Sequence, residues 1–154
     1  MANFKSDLIT ANDQINISDK VVNGDRTGGI LLYATAILTL AGTEAAADTI
    51  QLFDLPAGAV IVPQLSHATC SADPSSGTLT LDVGDAGDVD RYANDILLAS
   101  GGQVAFCSGT MPAAVAAPYQ PTAQTRIYAT IVAASASPTA SVKIAFTIAY
   151  RVKG

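Results

Sequence analysis

Four carboxylates lie within nine residues of chain at Asp82, Asp85, Asp88 and Asp90, interleaved with Gly84 and Gly87 and followed by Arg91. Hard cations such as calcium gather clustered oxygen ligands of this kind, so the four form a weak calcium candidate. The spacing departs from the EF-hand loop, and no bidentate Glu stands at its twelfth position. The competing reading is a loop whose Asp side chains bond nearby backbone amides and whose Arg91 pairs with one of them. Outside this stretch the chemistry thins out. The single histidine, His67, has no orienting acid or nucleophile near it in sequence, as general acid–base work requires, and reads as a surface or interface residue. Cys70 and Cys107 stand far apart and outside any CxxC spacing, so both are expected as free thiols. There is no serine elbow, no zinc-type Cys/His pairing and no Gly-rich phosphate loop, so neither an enzyme nor a resident cofactor is expected.

Residues 109–121 read GTMPAAVAAPYQP. Three prolines are expected to hold this stretch extended, either as a solvated connector or as a smooth contact surface whose small side chains let another backbone approach closely. Glu44-Ala45-Ala46-Ala47 is a second small-residue segment. Tyr92 and Tyr119, both expected on connectors, are candidate subunit-interface anchors. The alternative is that each plugs the end of its own domain.

The elements that carry these residues follow a period of two. In residues 142–152, Ile144, Phe146, Ile148, Tyr150 and Val152 share one face, opposite Lys143, Ala145, Thr147, Ala149 and Arg151. That is a half-buried strand. Residues 77–84 repeat the pattern with Leu79, Leu81 and Val83 inward. Residues 125–133 and 31–40 alternate with apolar residues on both faces. Residues 49–55 and 59–68 read as two more strands joined through Pro56-Ala57-Gly58. Turn signals such as Gly28-Gly29, Ala41-Gly42, Asp73-Pro74 and Gly101-Gly102 break the chain at short intervals. Short strands so separated indicate an all-β antiparallel sandwich or barrel. One helix is expected over residues 89–99, with Asp88 as its cap, and residues 44–48 suit either a shorter helix or an Ala-rich hairpin loop. Residues 1–29 are polar, rich in Asn and Asp and without sustained alternation. They are expected to form an extended N-terminal arm preceding a domain of residues 30–154. Within the arm, Ile15-Asn16-Ile17 suits a strand added to a neighbour's sheet edge or an edge strand of its own sheet.

Length and charge narrow the class. A chain of 154 residues makes one domain and can bury a core without staples. The net charge of −5 leaves no basic stripe to displace counterions, so nucleic-acid binding is not expected. Charged residues are only 14% of the chain, against roughly 25% in ordinary domains. That scarcity suits a protein whose surface is partly covered by copies of itself or by a partner. The start MANFKSDLIT has no apolar signal core, and no stretch approaches a transmembrane span. No membrane partner is expected, and a cytoplasmic or assembly-borne protein is the default expectation.

Several segments taken together resemble a known family. They are the arm MANFKSDLITAND, a LPAGAVIVPQ hairpin after a TIQLFD strand, the segment GDVDRYAND and the final strand ASVKIAFTIAYRVKG. In style and order, most of the chain resembles the jelly-roll-like capsid decoration (cement) proteins of tailed bacteriophages. The resemblance implies about eight antiparallel strands, a homotrimer, and a place on the outer capsid surface, bridging subunits of the major capsid protein. It implies synthesis in the host cytoplasm. It also implies that the arm binds the shell, which by position points to Phe4, Leu8, Ile15 and Ile17. A cement protein needs shape and many copies rather than reactive groups, and binding lowers the free energy of the assembled shell by mass action. The rival is a fibre-head or carbohydrate-binding sandwich, which shares the architecture. Sugar sites usually need exposed aromatic platforms, and this chain has no Trp. A chaperone-assembled pilin would need a secretory signal.

Overall fold

The computed structural model describes residues 30–74, 79–98, 102–108, 110, 112–134 and 138–152. The arm, residues 1–29, lies outside the described residues, and with it Phe4, Leu8, Ile15 and Ile17. Among the described residues nine strands follow in order: β1 (Ile30–Thr39), β2 (Thr49–Leu55), β3 (Val60–Ile61), β4 (His67–Cys70), β5 (Leu79–Asp85), β6 (Asp88–Leu98), β7 (Gln103–Ala105), β8 (Thr125–Ala134) and β9 (Lys143–Val152). One turn of helix, α1 (Ala113–Ala116), precedes β8.

The strands form two sheets packed face to face. The five-stranded sheet runs β1-β9-β4-β7, with β3 also on β9, and the four-stranded sheet runs β2-β8-β5-β6. The pairings nest: β5 with β6, β4 with β7, β2 with β8 and β1 with β9, all antiparallel. The chain is therefore one long antiparallel ladder, folded over on itself so that successive rungs fall in alternate sheets. That is the jelly-roll arrangement within the all-β sandwich the sequence indicates.

Alternation builds the core. Leu79, Leu81 and Val83 of β5, Ile127, Ala129 and Ile131 of β8, and Ile144, Phe146 and Ile148 of β9 are all buried and meet in one cluster. Their intervening neighbours face outward.

Several expectations are corrected. Residues 89–99 hold no helix: β6 occupies Asp88–Leu98 and pairs along β5. Its register slips twice, between Leu81 and Val83 and between Val83 and Asp85. The first leaves one extra residue on β6 and the second three, and either odd number reverses the alternation. The apolar positions 89, 92, 93, 96 and 97 then mimic a helical period although they lie on a strand. Asp88 faces Asp85 across the two-residue turn Ala86-Gly87 and caps nothing. Residues 44–48 are a turn, in which the Glu44 carboxylate accepts the amides of Ala41, Gly42 and Thr43. The small-residue stretch after Pro112 winds into α1 instead of staying extended. The segment LPAGAVIVPQ is not a hairpin, because β2 and β3 belong to different sheets. Gly58, at a φ of 76°, turns the chain across the open end of the sandwich.

Residues 59–68 are not one strand either. A 3-10 turn, Pro63–Leu65, separates β3 from β4 along the same side of β9. Ser66 closes the gap and is 1% exposed. Its hydroxyl donates to the Val62 carbonyl at 2.9 Å and accepts the Ala149 amide at 3.0 Å. The interruption therefore leaves the buried Ala149 amide satisfied.

Candidate functional surface

The clearest functional feature is a division of charge between the two sheets. The strands of the five-stranded sheet contain no Asp or Glu and carry Lys143, Arg151 and His67. The strands of the four-stranded sheet carry Asp54, Asp82, Asp85, Asp88, Asp90 and Asp95 against Arg91 and Arg126. Among the described residues, the strands of a protein that is acidic overall thus give one broad face without acid.

Register shows how that face is laid out. Because Ile144, Phe146 and Ile148 point inward, the odd-numbered residues of β9 lie on the other face, where Lys143, Ala145, Thr147 and Arg151 are reached by solvent and Ala149 is buried. One outward row crosses the sheet as Ile37, Ala145, Thr69 and Gln103, and the next as Thr35, Thr147, His67 and Ala105. Small and β-branched side chains make a low relief. Lys143 and Arg151 sit near opposite ends of β9, opposite Thr39 and Leu31. At the border, β1 exposes Leu31 (41%), Leu32 (38%), Tyr33 (57%) and Ile37 (68%). His67, read from sequence as a surface or interface residue, is half-buried within this face.

The Asp stretch lies at the opposite sheet and is spent on internal bonds. Asp85 is 4% exposed and accepts from the Gly87 amide, from Arg91 Nε at 2.9 Å and from the Tyr92 hydroxyl at 3.2 Å. Arg91 also stacks over the Tyr119 ring, 3.9 Å from its centroid. Asp82 accepts the amide of Asp95, a residue in the left-handed region at a φ of 52°. Partial burial raises the Asp82 carboxyl above its ordinary range, assisted by the nearby Asp95 charge. Asp90 accepts from Asn94 Nδ2 and shares a hydrogen bond with Asp88, which raises the Asp88 carboxyl. The four candidate ligands do not converge: among the described residues, no group of three or more His, Cys, Asp or Glu is placed to hold a metal ion.

The tyrosines divide. Tyr92 is fully buried, and burial followed by the Asp85 charge pushes its hydroxyl well above the ordinary value. It is part of its own core and offers nothing to a second subunit. Tyr119 is half-buried and tied to Arg91. Cys70 is buried and Cys107 half-buried, neither is in a disulfide, and burial raises the Cys107 thiol. On the four-stranded sheet, an open hollow of about 370 Å³ is lined by Asp54, Gln124, Arg126 and Tyr128. Its Arg126 is already engaged by both Asp54 oxygens, at 2.6 and 2.9 Å, and by Gln51 Oε1. One ring beside a closed ion pair is a poor sugar platform.

The acid-free face escaped sequence reasoning because no single segment carries it. It exists only once β1, β3, β4, β7 and β9 are known to be neighbours.

No protein-family model matches the chain, and no curated protein does. Solved structures do. A chain in the capsid of Ralstonia phage GP4 is 26% identical, with a TM-score of 0.56 over 82% of this chain and 86% of that one. A chain in the capsid asymmetric unit of cyanophage Pam1 is 19% identical, with a TM-score of 0.56 over 80% and 86%. A chain in the acid-stable capsid of Helicobacter pylori bacteriophage KHP30 is 16% identical, with a TM-score of 0.50 over 82% and 90%. The last two share the fold.

Proposed function

We propose that this chain is a virion structural protein that binds the outer surface of a phage capsid as an oligomer and stabilises the shell by bridging major capsid protein subunits. The observation that carries the reading is the acid-free outer face of the five-stranded sheet. Its likeness to chains found in phage capsids supplies the context. In this reading that face lies against the shell, where low relief and few charges make desolvation cheap. The acidic four-stranded sheet faces solvent and keeps decorated particles apart by like-charge repulsion. The arm of residues 1–29, with Phe4, Leu8, Ile15 and Ile17, supplies a second attachment.

Copy number tests the reading. In gradient-purified virions of the encoding phage, quantitative mass spectrometry is expected to find the chain in proportion to the major capsid protein. Ala145→Glu, an acid at the centre of the flat face, and removal of residues 1–29 should each release it while the free domain stays folded. A handful of copies per particle, located at the tail, would replace this reading with the fibre-head one. Complete absence from virions would refute both.

A further inference from the structure

β1 is an unusual edge. Among the described residues its one ladder partner is β9, in ten consecutive pairs without a bulge. Its sequence ILLYATAILT has no charge and no proline. Natural edge strands are ordinarily blunted by charges, prolines or bulges, because an open row of amides and carbonyls invites another strand. The direction of that row can be read from its end. The Leu40 amide donates to the Val142 carbonyl and the Leu40 carbonyl accepts from Ser141, so Leu40 faces β9. Peptide groups alternate sides along an antiparallel strand, so those of Leu31, Tyr33, Thr35, Ile37 and Thr39 point to the open edge.

The geometry points to a second copy of this chain as the occupant, paired β1 to β1 about a two-fold axis at Thr35. In that register Thr35 faces Thr35, Tyr33 faces Ile37 twice, and Leu31 faces Thr39. On the core side Leu32 faces Leu38 and Ala34 faces Ala36. Aromatic–β-branched and Thr–Thr pairs are among the favourable cross-strand combinations. Sliding one copy by two residues sets Tyr33 against Thr35 or Thr39 and loses both Tyr–Ile pairs. Sliding by one turns the outer face of one copy to the core side of the other. Among the described residues of the two sheets, no charge opposes the contact. Arg151 of one copy and Lys143 of the other lie three strand spacings apart, about 14 Å, beyond the roughly 8 Å screening length of physiological salt.

The contact is modest in size. Ten residues span about 33 Å, and a strip about 10 Å deep buries roughly 330 Å² per copy. The total falls short of the ~1,000 Å² expected of an interface that stands alone. It closes at high concentration, or where two copies are held side by side on a surface at millimolar effective concentration. The contact itself does not depend on the capsid reading; its consequence does. The paired sheets become continuous, with both acid-free faces on the same side, so one dimer has two coplanar feet and bridges two sites.

Cysteine scanning tests the register in the full-length protein. Cα atoms of a hydrogen-bonded antiparallel pair lie about 5.5 Å apart, within disulfide range. Residue 33 of one copy lies about 14 Å from residue 33 of the other, outside that range. At high concentration under mild oxidation, Thr35→Cys is expected to give at least about tenfold more covalent dimer than Tyr33→Cys or the parent with its native thiols. Thr35→Pro is a second probe. Its lost amide points to the open edge, where proline is tolerated, so the domain should keep its circular dichroism while sedimentation equilibrium shows loss of the dimer. Equal cross-linking at 33 and 35, no dimer at either, a trimer untouched by Thr35→Pro, or a dimer that forms only after residues 1–29 are removed would each overturn the proposal. None of these outcomes changes the copy number in virions, so the two readings fail separately.

Discussion

Replacing Ser66 with alanine removes one oxygen from a place water does not reach. The hydroxyl serves two groups, and they are affected unequally. The Val62 carbonyl keeps the Leu65 amide at 3.1 Å, so it retains a partner. The Ala149 amide has Ser66 Oγ as its partner at 3.0 Å, on a buried residue. An orphaned buried donor costs about 1–3 kcal/mol, so about 2 kcal/mol is expected. With a urea m-value of about 2 kcal/mol/M, the unfolding midpoint should fall by about 1 M. The melting temperature should fall by about 4–8 °C for a domain of this size. A matched control exists in the same sheet. Ser71 Oγ accepts the Lys143 amide at the same 3.0 Å, but at an exposed site. Water replaces the lost hydroxyl there, so Ser71→Ala should stay within about 0.5 kcal/mol of the parent. The bond length is shared and the burial differs, so the comparison isolates desolvation. Equal losses for the two variants, or no measurable loss for Ser66→Ala, would refute the claim that this hydroxyl closes the break between β3 and β4.

Two further outcomes follow from local geometry. A Cβ at Gly84 would run into the backbone carbonyls of Asp88 and Val89, which no side-chain rotation relieves; Gly84→Ala should cost about 3 kcal/mol in urea unfolding, at the upper end of ordinary overpacking. At Glu44, desolvation raises the carboxyl, but the amides of Ala41, Glu44, Gly42 and Thr43 outweigh it and hold it below its ordinary 4.5. Its small contribution to stability is therefore present above that value and fades as pH falls through the lowered one. Carboxyl NMR should place the Glu44 midpoint below 4.5, and Glu44→Gln should flatten this part of the acid limb.

The strands that read cleanly from sequence are those whose ladders are unbroken. β9 alternates in sequence from Lys143 to Val152 and lies in the middle of its sheet, so its pattern and its burial agree from Lys143 to Ile148 and part only at Ala149, which is buried on the outward set, and beyond it. β6 failed for a physical reason: two register slips changed its phase, and a strand whose phase changes carries the spacing of a helix. The break at Pro63–Leu65 was hidden because the residues on either side keep one apolar trend. Arg91 pairs with Asp85 as one reading of the Asp stretch anticipated. The fate of Tyr92 was not legible, because burial depends on which strand packs above it. Nor was the acid-free face, since no window of sequence contains its five strands.

The nesting of the ladder also orders events in time. β5 and β6 are joined by two residues and can pair as soon as both exist, whereas β1 waits for β9 while every other strand is made. Contacts so distant in sequence form late, because the loop entropy must be met before they reward it. The open edge of β1 is therefore not a stiff template while the chain is growing; it becomes one when β9 docks. A nascent chain is spared a rigid adhesive strand at the concentrations of a polysome, where edge pairing would lead to aggregation. Adhesion is withheld until the sheet that carries it is closed.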